Sequence, residues 1–176
     1  LSLKAIMGIV GYSDILHHLG KTAEAEAAIA TAKRYAASFL QRAKNADGSY
    51  RLAYDRPGTF SLKYNCIWDK IWKTGLFPQE FYDGEVLRYI KESLPYGVPL
   101  DSRAKYTKSD WMVWAACMAK NKEDFELLIH KLWSAYDVMH SRVPMTDWYH
   151  ADIAQQSGYF QNRTVQGGLF MKLLMD

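Results

Sequence analysis

The 176-residue sequence has only two cysteines, Cys66 and Cys117, far apart and each inside an apolar stretch. That rules out a disulfide framework and a cysteine metal site, so both are expected as buried free thiols. The five histidines, His17, His18, His130, His140 and His150, show no metal-ligand spacing. No metal and no cofactor are expected. No apolar run approaches the roughly 20 residues of a bilayer span, so no membrane-spanning helix is expected. The formal net charge is only +3, from 22 basic and 19 acidic residues. The basic residues stand singly or in pairs such as Lys33-Arg34, and no basic stripe exists to follow a phosphate backbone; nucleic acid is not an expected partner. Neither an initiator Met nor a signal-peptide pattern opens the chain, which starts directly in helical periodicity and reads as an excised piece or a processed product.

Aromatic residues are plentiful instead, at six Trp, twelve Tyr and seven Phe. Several lie outside any helical period, where rings serve either as ligand platforms or as plugs of a helix bundle. The length fits one domain, 1–176, with a sizeable core.

Helical periodicity dominates the chain. Residues 1–19 are apolar on more than one face, which predicts a helix buried on most sides and stopped by Gly20. Residues 21–44 follow as an Ala-rich amphipathic helix. After the turn Asn45-Ala46-Asp47-Gly48, residues 49–54 alternate like a short extended piece. Tyr64, Ile67, Trp68, Ile71 and Trp72 then form a helical stripe, residues 75–78 make a corner, and residues 80–93 return with Phe81, Val86, Leu87 and Ile90 inward. A third pair spans residues 111–119, apolar nearly all round, and residues 121–140, with Leu132, Trp133 and Tyr136 on its apolar stripe. A last helix is expected over 164–175. Three hairpins plus one helix predict an all-α fold. The long loops recur before the buried helices while the opposite corners are short, which favours a two-layer ring over a free-standing bundle.

Five loop strings carry the unusual chemistry: Lys63-Tyr64-Asn65 with Trp68-Asp69-Lys70; residues 96–103, ending Asp101-Ser102-Arg103; Lys108-Ser109-Asp110-Trp111 with Trp114; Arg142 through Asp147-Trp148-Tyr149; and residues 160–168, which include Asn162-Arg163-Thr164 and Gly167-Gly168. Their order and spacing resemble the C-terminal helical-hairpin domain of glutaminase A-like proteins over essentially the whole chain. His150 and Asn162 depart from the family pattern, where an acidic residue and an alanine are expected. The resemblance implies about half of an (α/α)6 toroid of six-hairpin glycosidase type. It further implies upstream domains of the same polypeptide as partners, a secreted or periplasmic location, and hydrolysis of glutamine to glutamate and ammonia. A glycoside hydrolase or glycan-binding ring shares the toroid, and a structural half-ring with its catalytic groups upstream is a third possibility.

For such chemistry the candidate catalytic residues are Asp110, Asp147 and Asp101. Asp110 opens a buried helix, where a carboxylate complements the helix dipole, yet beside Trp111 and Trp114 it would also suit a general acid. Asp147 has no helix to cap and is flanked by Trp148 and Tyr149. Asp101 is placed to pair with Arg103. Candidate substrate-binding residues are Arg103, Arg142 and Arg163, whose guanidinium groups clamp carboxylates, with Lys63, Trp111, Trp148 and Tyr149. Lys63 and Lys70 are also placed to brace Asp69 or Asp147. The spacing Ser102-x-x-Lys105 falls in a polar loop and is read as chance.

Overall fold

A computed structural model describes residues 1–175 as a mostly helical fold. α1 (Ser2–His18) and α2 (Thr22–Arg42) form the first hairpin, turned at Gly20, whose φ of +73° is one that glycine adopts without strain. The small residues Ala25, Ala32 and Ala36 on α2 let the two helices approach, and the Ser13 hydroxyl donates across to the Ala25 carbonyl at 2.8 Å. α1 is not buried on most sides. Leu3, Ile6, Val10 and Leu16 are buried in one stripe, while Tyr12, Ile15 and Leu19 are exposed. The apolar side chains outnumber the positions that α2 and the core can cover.

A 3-10 turn (Tyr64–Cys66) runs into the short α3 (Ile67–Ile71), and α4 (Gln79–Glu92) closes the second hairpin. Asp69 sets the corner between them. Its carboxylate accepts the Leu76 and Phe77 amides at 2.9 and 3.2 Å and the Tyr82 hydroxyl at 2.6 Å, and it also bonds Thr74. On α4 Phe81 and Val86 are buried as expected, but Leu87 is exposed. α5 (Ser109–Ala116) and α6 (Lys122–Val138) form the third pair, with Asn121 capping α6 by accepting the Asp124 amide at 2.8 Å. α5 is deeply buried; on α6 Leu128, Leu132 and Ala135 face the core and Trp133 faces outward. Both cysteines are buried. No described helix is long and apolar enough to cross a membrane.

Three further features differ from the sequence expectation. Residues 49–54 form no strand; one isolated bridge, Lys44 to Tyr50, is all that pairs there. The last helix is a 3-10 helix, Thr164–Leu174. The long loops meet as a small antiparallel sheet in the order β1 (Tyr106–Lys108), β2 (Trp148–His150), β3 (Gln155–Gln156). That sheet positions the candidate site.

Candidate functional site

β1 and β2 pair with Lys108 opposite Trp148, Thr107 opposite Tyr149 and Tyr106 opposite His150. Alternation along each strand sends Thr107 and Tyr149 into the core and leaves Tyr106, Lys108 and Trp148 half-buried beside a cavity of about 640 Å³. The chain passes from β1 straight into α5, and the Ser109 amide donates to the Asp147 carbonyl at 2.9 Å, tying the start of that helix to β2. Aromatic rings form much of the wall. Tyr64 stacks on Trp111 with centroids 4.0 Å apart, and Trp148 lies 5.0 Å from both Tyr106 and Phe160. Lys4, Arg51, Lys63, Arg103, Lys108 and Arg163 also line the cavity, with Asp101 as the lining carboxylate.

The three candidate carboxylates sit in different environments. Asp147 is fully buried, and Lys108 Nζ and Arg163 Nη1 meet on its Oδ2 at 3.0 and 3.4 Å. Each cation also lies over a ring, Lys108 over Trp111 and Arg163 over Phe160, both at 4.9 Å. Asp110, at the start of α5, is buried and its Oδ1 takes no hydrogen bond. Burial pushes the Asp110 carboxyl above its ordinary value; the Lys108 charge and backbone N–H groups pull it partly back, and Asp147 adds to the rise. Asp110 does not line the cavity. A Cβ placed on Gly168 would stand 2.8 Å from its Cβ, so the terminal 3-10 helix covers it directly. Asp101 forms a two-bond pair with Arg103, Nε to Oδ1 and Nη2 to Oδ2, each 2.8 Å. Burial raises the Asp101 carboxyl, but the Arg103 bonds and charge outweigh it and hold it below its ordinary value.

Lys63, Asp101, Arg103, Trp111, Trp148 and Arg163 therefore share one cavity, with Asp147 and Asp110 behind its wall. Arg142 stays apart, donating to the Asp137 and Met139 carbonyls at the end of α6. Tyr149 is a core residue whose hydroxyl donates to the Tyr96 carbonyl at 2.9 Å. Lys63 braces neither Asp69 nor Asp147. It pairs with the fully buried Glu85 at 3.7 Å and donates to the Tyr50 carbonyl and to Ser61. Lys70 donates to the Met118 carbonyl. Asp69 is already occupied by its corner, and the cations of Asp147 come from β1 and the segment before the terminal helix. Arg51 and Glu85 escaped the sequence reading, and Lys108 stood in one of its loop strings without a role of its own. Lys108 alone had a signal, two residues before Asp110 in an extended stretch. Among the described residues no group of three or more His, Cys, Asp or Glu side chains is placed to hold a metal.

The family model for the glutaminase A six helical-hairpin domain matches residues 1–173. Glutaminase A of Aspergillus oryzae is 30% identical over 181 residues, covering 99% of this chain and 26% of that protein. A protein from Arthroderma benhamiae named as a probable glutaminase is 26% identical over 209 residues, covering all of this chain and 24% of that protein. The chain thus spans about a quarter of the length of the curated relatives it matches. No solved structure matches.

Proposed function

The chain belongs to the glutaminase A six helical-hairpin family, and from that premise we propose that it forms one wall of the cleft of a glutaminase-like amidohydrolase. In this reading the hairpins make up about half of an (α/α)6 ring within a longer, secreted polypeptide, and the substrate is glutamine. One observation carries it. The two cations that hold buried Asp147, Lys108 and Arg163, themselves line an aromatic-walled cavity next to Asp110.

The substrate carboxylate is received by Lys108 and Arg163, and the chain of the amino acid lies along the rings. Water attacks the amide carbon. Asp110, whose burial suits it to proton transfer, takes a proton from that water and passes it to the departing nitrogen, leaving glutamate and ammonia. Because Asp110 lies under Gly168, this step requires the terminal 3-10 segment to shift when substrate binds. Asp147 orders the two cations. Asp101, held low by Arg103, frames the wall as a poor proton carrier.

Ammonia release from glutamine by the longest natural polypeptide carrying this chain tests the reading. Asp110→Asn should lower turnover by about 100-fold or more, the usual scale for a lost proton-transfer group. Full activity in an Asp110→Ala, Asp147→Ala double variant would move the chemistry elsewhere and leave a structural wall. The stacked Tyr64 and Trp111 favour a second reading, a glycan cleft; sugar release without ammonia release would select it.

A further inference from the structure

The cavity wall is rich in donors. Lys108 and Arg163 meet on a single Asp147 oxygen, and both retain further N–H groups. Two residues of the lining each carry a buried donor without an acceptor, Trp148 at Nε1 and Arg51 at Nε, while the Arg51 Nη1 donates to the Tyr54 carbonyl at 2.9 Å. A buried donor with no acceptor is costly, so a cavity whose wall residues carry two such groups favours a ligand that brings oxygen acceptors. The charge agrees. The lining carries six cationic side chains and one carboxylate, Asp101. Counting Asp147, Asp110 and Glu85 behind the wall as well, six positive against four negative still leaves an excess of two positive charges. The donors come from two parts of the chain, Arg51 from the segment after α2, and Lys108, Trp148 and Arg163 from the sheet and the segment following it.

We propose that the cavity is a site for small dicarboxylates, one carboxylate received by Lys108 and Arg163 beside the Trp148 indole N–H and the other by Arg51. Resting on the amidohydrolase reading, one consequence is regulatory. A dicarboxylate product is held more tightly than its amide precursor, and the enzyme is inhibited by the acid it releases.

Glutarate, its monoamide glutaramate and the neutral diamide glutaramide, titrated into the purified protein by calorimetry, separate the outcomes. Glutarate should bind about tenfold more tightly than glutaramate, the difference between a charged and a neutral hydrogen-bond acceptor, and the gap should narrow at high salt. Arg51→Gln and Arg163→Gln should erase most of the preference. Trp148→Phe, which keeps the ring and removes the donor, should weaken glutarate several-fold without unfolding the protein, and exposed Arg56→Gln should change nothing. Equal affinity for all three compounds, or no saturable binding of any, overturns the proposal. Hydrolysis of glutamine without a preference for glutarate also sinks it while sparing the hydrolase; a glutarate preference without hydrolysis does the reverse.

Discussion

Replacing Glu85 by alanine breaks a fully buried ion pair, the one it makes with Lys63 of the cavity lining. Glu85 Oε1 accepts the Tyr50 amide at 2.6 Å, and Oε2 accepts the Tyr89 hydroxyl at 2.7 Å and faces Lys63 Nζ at 3.7 Å. Truncation leaves two buried donors without acceptors, at about 1–3 kcal/mol each. It also leaves the Lys63 ammonium with only the Tyr50 carbonyl and Ser61 for company. These losses overlap, and breaking one side of a buried pair costs about 3–5 kcal/mol in all, so about 4 kcal/mol is expected. Glu85→Gln keeps an oxygen for the Tyr50 amide and should cost about half as much. Removing both charges, in a Lys63→Met, Glu85→Leu double variant, should be milder than Glu85→Ala alone, because no uncompensated charge remains. Urea unfolding followed by circular dichroism, with the slope checked for constancy, measures all three. A loss below about 1 kcal/mol in Glu85→Ala would mean that water reaches the pair, and the burial argument would fail.

Two further outcomes follow from the site. Asp110 has a folded-state carboxyl raised above its ordinary value of 3.8, so the stability linked to its protonation is present below that pH and lost as pH rises through the folded value. Asp110→Asn does not titrate, so the variant should gain stability relative to the parent as pH rises from 3.8 through the raised folded value; a difference independent of pH would contradict this. In the terminal helix, Gly168→Ala would place a Cβ 2.8 Å from the Asp110 Cβ and 2.9 Å from the Trp114 indole nitrogen. Overpacking of that kind costs about 1–3 kcal/mol, and an unchanged midpoint in thermal unfolding would show that the terminal helix does not press on α5.

The helical hairpins could be read in the chain because long amphipathic segments repeat their apolar residues every three to four positions. Gly20 and the corner before α4 mark two of the ends. The burial of both cysteines and the depth of α5 were equally legible. The sheet was not, since strands of two or three residues are shorter than the alternation needed to detect them. The terminal 3-10 helix was misread for a related reason. Over eleven residues, apolar spacing hardly separates a three-residue turn from one of 3.6.

Sequence by itself determined that this chain builds paired helices and carries aromatic, charged loop strings of the glutaminase A helical-hairpin family. Apart from the local Asp101–Arg103 pair, which the sequence placed together, tertiary structure alone decided which charges meet. Lys63 lies 22 positions from Glu85, and Lys108 and Arg163 reach Asp147 from opposite sides in sequence. Charge has no periodicity, and a side chain's partner depends on which segments the fold brings together. Pairing β1 with β2 put Lys108 next to Asp147 and turned Tyr149 inward, and packing the terminal helix on α5 covered Asp110.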